Sequence, residues 1–327
     1  MDSTLRFNGS EEELSKIFDQ YNLKVLDTRC FKDGIINTSY CLDIEDGSKL
    51  VLRVYQNGDK SSDAIEKELD FMEKMNNSGI PVPSVMNNES GGKMTIFRDS
   101  DGKEWRAIIM TFADGRHLNP DDLDIIPEFA TYQAKMHLCS AKLNKNSDVP
   151  NFKAMADWMD KEFKETKSKG VAEEILEKIE NIYTELKQDI ELNYKSILEL
   201  PFGDVHLDYD SDNIIVGDGK IKAILDFDDI SIQPFILDTA NSIWWWLFKN
   251  KQGDYKKILQ SYFESYRKAR DISEKEYKLL SLFIRMRNLT LMCLLYVNIS
   301  DEPNYTRINE GLILDPLVKS LYGFYSL

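Results

Sequence analysis

The sequence is poor in cysteine and has no long uninterrupted apolar run. Its four cysteines show neither a C-x-x-C pair nor a histidine at the spacing of a metal site: Cys30, Cys41, Cys139 and Cys293. This excludes the usual cysteine metal-site patterns and favours core thiols in a reducing compartment. No apolar run approaches the roughly 20 residues of a membrane span, and the N-terminus lacks the basic and apolar regions of a signal peptide. We therefore expect a soluble cytoplasmic protein without a membrane partner.

The sequence also contains fewer basic than acidic residues. Lysine and arginine together number 41 against 56 aspartates and glutamates, which gives a net charge of −15 and a pI near 4.8. Nucleic-acid binding requires a basic face that neutralises phosphates, so this composition excludes DNA or RNA as the expected partner. The negative charge favours the approach of a cationic small molecule, although solubility alone explains it equally well.

The remaining composition is that of an ordinary globular protein. With 327 residues, 42% of them hydrophobic, the chain is expected to bury roughly three quarters of its unfolded surface, which suffices for one large domain or two lobes. Strand and turn patterns occupy much of the first third of the sequence, and amphipathic helical patterns dominate from Pro127 onward.

The residues that point to chemistry are concentrated in residues 206–229. The stretch opens with the pattern H-x-D-x-x-x-x-N, whose polar members include Asp208 and Asn213. A glycine-containing turn follows, and then an apolar strand that ends in D-F-D, beginning at Asp226. Two strands joined by a turn bring both ends of the stretch together, so we expect Asp208, Asn213 and Asp226 to be neighbours.

The acidic residues of this hairpin are expected to repel one another. Two carboxylates about 5 Å apart interact unfavourably by about 3 kcal/mol at an effective dielectric constant near 20. A group of Asp208, Asp226 and Asp228 would therefore destabilise the hairpin unless a cation lay among them. Asp and Asn offer only oxygen ligands, which suit Mg²⁺ completed by phosphate oxygens and water and do not suit zinc.

A lone arginine interrupts the predicted strand at residues 50–55. Arg53 lies within the run Leu-Val-Leu-Arg-Val-Tyr, and an arginine with apolar neighbours on both faces needs an anionic partner. The helix predicted near residues 62–76 offers Glu66 and Glu68 as candidates. The residues alone leave both glutamates open.

Together these motifs resemble the protein kinase-like phosphotransferases, specifically the branch of aminoglycoside phosphotransferases, choline kinases and type II homoserine kinases. The spacing from Asp208 to Asp226 is also similar to that of the family. The resemblance implies an α+β, two-lobed protein kinase-like fold, with a β-rich N-terminal lobe over residues 1–112 and a mainly helical C-terminal lobe over residues 113–327. It further implies that the γ-phosphoryl group of ATP or GTP, bound with Mg²⁺, is transferred to a hydroxyl of a small molecule.

The resemblance assigns a role to the polar members of the hairpin. Asp208 corresponds to the residue that accepts the hydroxyl proton, and Asn213 and Asp226 correspond to the ligands of Mg²⁺. Asp204 is an alternative base, because Pro-Phe-Gly-Asp is similar to the His-Gly-Asp that is common in the family. That alignment leaves Asn213 nine residues downstream instead of five and lacks the histidine, so Asp208 is the better match.

The resemblance also assigns the nucleotide contacts. Arg53 occupies the position of the family's strand lysine, and the pattern that leads to G-I-P-V-P selects Glu68 as its helix glutamate. Gly34 is the single glycine of the segment that corresponds to the phosphate-binding loop. The adenine edge is expected to bind backbone groups of the hinge strand, at Met110 and Phe112.

Several residues outside these motifs have open roles. The resemblance implies that Asp238 braces the catalytic loop through its backbone and that His137 is structural. The tryptophans at 244–246 point about 100° apart on a helix, so we expect part of their surface to border a cleft, or else to pack against neighbouring helices. Arg285 and Arg287 lie in an apolar helix and either meet an acidic substrate or pair with carboxylates.

Two other functions stay open at this point. A bacterial Ser/Thr protein kinase shares the implied fold, but the chain lacks an A-P-E motif and a recognisable activation segment after Asp226. A non-catalytic kinase-like nucleotide-binding protein would not need Asp208, Asn213 and Asp226 together. The resemblance implies a small acceptor, with or without an amino group, and aminoglycosides, choline-like alcohols, homoserine and sugars all satisfy the pattern.

Overall fold

The computed structural model describes residues 6–31, 36–58, 60–143, 151–250 and 255–320. The chain divides into two compact units, one of Met1–Gly115 with Lys222–Leu225 and the other of Arg116–Ile221 with Asp226–Leu327. The first is built on strands and the second mainly on helices, which confirms the predicted α+β class. The predicted lobes were continuous, whereas Lys222–Leu225 join the first unit, where Ile224 N donates a hydrogen bond to Pro81 O at 2.7 Å.

The first unit contains a five-stranded antiparallel sheet with the strand order β1-β2-β3-β5-β4. Its strands are β1 (Val25–Cys30), β2 (Thr38–Ile44), β3 (Lys49–Val54), β4 (Thr95–Arg98) and β5 (Glu104–Thr111). Helix α1 (Glu11–Asp19) begins at a capping box that Ser10 and Glu13 form. Helix α2 (Ser62–Asn77) follows β3.

The register of this sheet places Arg53 near its centre. In β3, Arg53 lies opposite Ser39 of β2 and Ile108 of β5, so its backbone belongs to a strand with a neighbour on each side. Only 8% of Arg53 is exposed. The cation that the sequence singled out therefore lies on the central strand of the sheet.

The second unit combines helices with short strands, most of which lie between Leu198 and Phe235 in the chain. The strands from this part of the chain are β6 (Arg116–His117), β7 (Phe202–Val205), β8 (Ile214–Gly217), β9 (Lys220–Ile224), whose last three residues belong to the first unit, and β10 (Ser231–Pro234). Strand β10 pairs with β7, and the other three form a sheet in the order β6-β8-β9. The helices are α3 (Ile126–Leu143), α4 (Phe152–Thr166), α5 (Glu173–Leu198), α6 (Phe235–Lys249), α7 (Tyr255–Arg267), α8 (Glu274–Cys293) and α9 (Tyr305–Ser320).

Helix α6 is enclosed on all sides. Trp244, Trp245 and Trp246 are no more than 3% exposed, so the expectation that part of their surface borders a cleft is wrong. Packing against neighbouring elements, the alternative for these side chains, is what the structure contains: Trp246 meets Phe129 of α3 edge to face at 5.7 Å between ring centroids. Three tryptophans can point in different directions here because α6 has protein on every face.

Helix α8 continues through a π-helical turn to Asn298. By length and composition the segment Glu274–Asn298 could cross a membrane, and 78% of its apolar window is buried inside the protein. Core helices of soluble proteins meet the same criterion, and α8 packs chiefly against α6, α9, α4 and α5. The helix thus lies in the core of the second unit.

Candidate active site

The H-x-D-x-x-x-x-N segment forms the loop between β7 and β8. Leu207 in this loop has a φ of +65°, a left-handed conformation that costs a non-glycine residue on the order of 1–3 kcal/mol. Two side chains of α6 hold it there. Asp238 Oδ1 accepts a hydrogen bond from Leu207 N at 2.6 Å, and Asn241 Nδ2 donates to Leu207 O at 2.9 Å. The predicted bracing role of Asp238 is therefore confirmed.

Asp208 and Asn213 lie in direct contact on this loop. Asn213 Nδ2 donates to the backbone carbonyl of Asp208 at 2.9 Å and to its Oδ2 at 3.0 Å. A short 3-10 turn, Ser211–Asn213, makes this possible, because it brings the fifth residue after Asp208 back to it. Since the amide nitrogen is committed to Asp208, Oδ1 is the atom through which Asn213 can bind a hard cation.

The two candidate bases have different surroundings. Asp204 lies in β7 opposite Ile232 of β10 and is only 6% exposed. The side chain of Asp208 is 39% exposed and contacts Asn213. A residue that receives a proton from a substrate must be reachable by it, so this geometry favours Asp208.

Asp226 follows β9 at the other end of the hairpin. It is exposed and has a φ of +60°, which gives its carboxylate access to a ligand. Within the described ranges, however, no group of three or more His, Cys, Asp or Glu side chains could hold a metal ion. The predicted clustering of Asp208, Asp226 and Asp228 around one cation is therefore wrong. Asn213 and Asp226 stay a predicted pair of ligands, with oxygen atoms of the kind that Mg²⁺ prefers.

Helix α8 supplies the charge that balances Asp208 instead. Arg287 Nη2 lies 2.9 Å from Asp208 Oδ1, and the arginine side chain is 11% exposed. Arg285, on the same helix, pairs with a different set of carboxylates, those of Asp315, Glu185 and Asp189 at 2.8, 2.8 and 3.3 Å. Both arginines thus pair with carboxylates, which was one of the two open alternatives, and one of them does so at the candidate base.

Behind the loop, Asp238 is the centre of a buried hydrogen-bond network. Its Oδ2 accepts from Gln133 Nε2 at 2.6 Å and lies 2.9 Å from His137 Nε2. His137 Nδ1 lies 2.6 Å from the Tyr266 hydroxyl, and Arg270 Nη1 donates to that hydroxyl at 3.1 Å. The chain of contacts requires that Nε2 carry the proton and that Nδ1 accept from Tyr266. His137 is therefore structural, as predicted.

Burial and hydrogen bonds set the charges in this network. Burial lowers the pKa of His137, even though Asp238 beside it favours the protonated ring. For Asp238, burial acts to raise the pKa, but hydrogen bonds from His137 and Gln133 outweigh it and keep the pKa below its ordinary value. The loop is thus held by a buried aspartate anion next to a neutral histidine.

Asp210, which the sequence analysis did not single out, is a carboxyl group of the loop with an altered acidity. Burial, together with the negative charges of Asp208 and Asp212, raises the pKa of Asp210 to about 8. Its Oδ1 accepts a hydrogen bond from Asp212 N at 2.9 Å and so caps the 3-10 turn. Asp210 is therefore expected to be largely protonated at neutral pH.

Asp210→Asn is expected to raise the melting temperature, by an amount that grows from about pH 4 to about pH 8. Between the unfolded-state pKa near 3.9 and the folded-state value of about 8, the folded protein binds more protons than the unfolded chain. Wild-type stability therefore falls as pH rises through this window. Asparagine keeps the capping oxygen and has no proton to lose. Thermal unfolding without metal or nucleotide measures the difference, and a gain independent of pH would contradict it.

In the first unit, Glu68 rather than Glu66 is the buried glutamate of α2. Glu68 is 3% exposed, whereas Glu66 is exposed. Glu68 Oε2 accepts from Lys60 Nζ at 3.1 Å, and Oε1 accepts from the Tyr55 hydroxyl at 3.2 Å. Arg53 lies 5.5 Å from the centroid of the Tyr55 ring. Lys60, whose side chain is 16% exposed, is thus a cation beside this glutamate, and the pairing of Arg53 with Glu68 stays a prediction.

Two of the other residues that are predicted to bind the nucleotide lie in β5 or directly after it. Met110 is in β5, opposite Val51 of β3, and also forms a bridge with Val85. Phe112 directly follows β5. Lys49 Nζ lies over the Phe112 ring, 5.6 Å from its centroid. Gly34 lies outside the described residues. The adenine contacts of Met110 and Phe112 stay predictions.

Comparison with known proteins identifies the class. Residues 27–272 match the Phosphotransferase enzyme family, which is most of the chain, so this protein belongs to that family. The predicted resemblance and the predicted enzyme class, a phosphotransferase, are confirmed by this match.

Three individual proteins illustrate the relationship. A homoserine kinase from Methylobacillus flagellatus is 24% identical over 223 residues, which cover 67% of this chain and 63% of that protein's length. A microcompartment-associated aminopropanol kinase has a TM-score of 0.73 at 16% identity, with 97% and 99% of the two chains covered. An amicoumacin kinase solved with AMP-PNP and Ca²⁺ has a TM-score of 0.70 at 17% identity, with 97% and 94% covered.

Several contributors to the site besides Asp210 and Asn241 were missed or left undecided by the sequence analysis. Lys60 precedes α2 by two positions and carries no motif. Gln133 and Arg287 lie in helices whose sequences read simply as amphipathic or apolar. The one signal that could have found them is a polar residue at a core-facing helical position, since such a residue must have a partner. That signal does not identify the partner.

Proposed function

We propose that this protein transfers the γ-phosphoryl group of a nucleoside triphosphate, ATP or GTP, to a hydroxyl of a small, amine-containing acceptor. The observation that carries the proposal is the Asp208–Asn213 contact on a loop that α6 holds in a left-handed conformation. An accessible carboxylate next to an amide oxygen donor is what a general base and a metal ligand require. The aminopropanol kinase and homoserine kinase relatives support an acceptor with an amino group.

In the proposed reaction, Asp208 orients the acceptor and receives its proton. The acceptor oxygen forms a bond to the γ-phosphorus, the bond from that phosphorus to the bridging oxygen breaks, and a nucleoside diphosphate leaves. Asn213 Oδ1 and Asp226 would hold Mg²⁺, which neutralises charge on the phosphates when it is bound. Because phosphoryl transfer depends mainly on positioning and charge stabilisation, the rigid loop is the chief contribution of this chain.

The first unit is proposed to bind the nucleotide. Arg53 supplies a buried guanidinium for the phosphates, and a guanidinium matches their geometry better than the family's lysine does. The Lys60–Glu68 ion pair, with side chains 16% and 2% exposed, is proposed to hold the Glu68 side chain in place. Backbone groups at Met110 and Phe112 are proposed to bind the base.

Removing either proposed metal ligand is expected to weaken magnesium-nucleotide binding. Asn213→Ala and Asp226→Asn should each raise the Mg²⁺ concentration for half-maximal activity by at least about tenfold, since each takes away one of few protein ligands. Asp212→Asn is a matched control, because it removes an exposed carboxylate from the same loop. Calorimetry with a non-hydrolysable ATP analogue, with and without Mg²⁺, measures the effect independently of turnover.

The decisive experiment is an acceptor screen coupled to nucleoside diphosphate release. Amino alcohols, hydroxy amino acids, sugars and aminoglycosides should include at least one compound that is phosphorylated in a Mg²⁺-dependent manner. Phosphorylation of a protein pool, with every small molecule inert, would instead identify a protein kinase. Absence of magnesium-dependent nucleotide binding would identify a non-catalytic relative and overturn the proposal.

A further inference from the structure

Arg287, a cation near the candidate base, has hydrogen-bond donors without a partner in the described part of the chain. Arg287 makes a single hydrogen bond within the described part of the chain, from Nη2 to Asp208 Oδ1 at 2.9 Å. Its Nε is buried and has no hydrogen-bond partner there. A guanidinium has five N–H donors in a fixed fork. Because Nη1 makes no hydrogen bond to the described part of the chain, Arg287 can pair with a ligand at the position of the base while it contacts Asp208.

Arg285 shows what a purely structural arginine on the same helix looks like. It is 5% exposed and its Nε, Nη1 and Nη2 atoms each contact a carboxylate: those of Asp315, Asp189 and Glu185. All three of its nitrogen atoms are satisfied by the protein. Arg287, two residues further along α8, has one of three satisfied. The difference points to a ligand rather than to a role in folding alone.

The position of Arg287 is fixed before any ligand arrives. Its guanidinium carbon lies 5.9 Å from the centroid of the Trp244 ring, and Trp244 Nε1 donates to Asn288 Oδ1 at 3.0 Å. Asn288 in turn donates to Gly311 O at 2.8 Å. This arginine is held by α6, α8 and α9 together. Its side chain therefore loses little conformational entropy when a ligand binds to it.

We propose that Arg287 binds a carboxylate of the acceptor, so that the substrate is a small hydroxy amino acid rather than a simple amino alcohol. The inference rests on the proposed function, since it concerns the same site. A carboxylate matches the planar fork of an arginine. Because Arg287 Nη2 and Asp208 Oδ1 are only 2.9 Å apart, the hydroxyl and the carboxylate of the acceptor must be separated by a few bonds.

The charge of the protein is consistent with a zwitterionic acceptor. The chain has a net charge of −15, so a purely anionic substrate would be repelled on approach. An amino acid has no net charge, and its ammonium group offsets its carboxylate. The carboxylate that faces Arg287 is that of Asp208, and its negative charge suits the ammonium end of such a molecule.

Matched pairs of acceptors that differ only by the carboxylate test this inference. Homoserine and 3-aminopropan-1-ol form one pair, threonine and 1-aminopropan-2-ol a second, and serine and ethanolamine a third. The wild-type protein is expected to prefer the carboxylated member of at least one pair by about 100-fold in kcat/KM. In Arg287→Gln that preference should fall at least about tenfold, mainly through KM for the acceptor, and Arg287→Lys should restore part of it.

Lys278→Gln is the control, because it removes one positive charge from an exposed position of the same helix. It should keep the wild-type preference. If Arg287→Gln does not fold, the wild-type protein still tests the inference. Its affinity for both members of a pair is then measured by calorimetric titration in the presence of an ATP analogue and Mg²⁺. The carboxylated member should bind more tightly by a similar factor.

Several results would overturn the inference without touching the proposed kinase activity. These are equal turnover of both members by the wild-type protein, an unchanged preference in Arg287→Gln, or a larger KM for ATP rather than for the acceptor. An equal loss of kcat for both members would mean that Arg287 only positions Asp208. If no acceptor is phosphorylated and no nucleotide binds, the proposed function itself fails.

Discussion

Asp208→Ala is expected to lower the turnover of the true acceptor by at least about 100-fold, the usual contribution of a general base. The side chain is the accessible carboxylate of the loop, and its two oxygens contact Asn213 and Arg287. Removing it takes away the proton acceptor and the group that orients the attacking hydroxyl. The protein should stay folded, because the loop backbone is held by Asp238 and Asn241 rather than by Asp208. Steady-state kinetics and circular dichroism check the two halves of this prediction.

Asp204→Ala is the comparison that makes the result interpretable. Asp204 is four residues earlier, is 6% exposed and belongs to strand β7. Its replacement should affect stability more than turnover. If Asp204→Ala abolishes activity while Asp208→Ala does not, the alignment of the catalytic loop is displaced by four residues and the roles given to Asn213 must be reassigned.

Asp238→Ala is expected to have the largest effect on stability. Asp238 is fully buried and accepts hydrogen bonds from Leu207 N, Gln133 and His137. Removing one partner from a buried charged network costs about 3–5 kcal/mol. Turnover should fall as well, because Leu207 is no longer held at its positive φ and Asp208 is the next residue. Chemical denaturation and kinetics at a temperature where the variant is folded measure both effects.

Milder variants separate bracing from general destabilisation. Asp238→Asn keeps the size of the side chain, and Tyr266→Phe removes one hydroxyl that contacts His137 but not Asp238. Tyr266→Phe should cost about 1 kcal/mol and leave most of the activity. Because the pKa of Asp238 is lowered in the folded protein, its stabilisation is complete above about pH 4 and is lost as pH falls further. An Asp238→Ala variant that retains full turnover and wild-type stability would refute the bracing role.

The sequence was most informative where the relevant contacts are local. Asp208 and Asn213 are five positions apart, and a short turn suffices to join them. The capping box of α1 is equally local, because Ser10 and Glu13 are three positions apart. The family pattern selected Glu68 over Glu66 as the helix glutamate, and the burial of Glu68 agrees with that choice. Short-range hydrogen-bonding geometry is encoded in residue type and spacing, so a single sequence is enough to find it.

Contacts between distant segments could not be found in this way. Arg287 lies 79 positions from Asp208, and Gln133 lies 105 positions from Asp238. The tryptophans of α6 were expected to reach a cleft because a helix usually has one solvated face, and here the packing of several helices covers every face. The three-acid cluster also failed, since a repulsion inferred from spacing can be relieved by a cation from another part of the chain.

The sequence by itself therefore determined the class of enzyme, the α+β architecture and the loop that contains the proposed base. The tertiary structure alone decided which arginine pairs with Asp208, what holds Leu207 in its strained conformation and how the tryptophans are buried. The physical reason is that residue spacing fixes interactions within a turn, a strand or a helix. Partners from different elements are selected only when those elements pack and leave a buried charge or hydrogen-bonding group that must be satisfied.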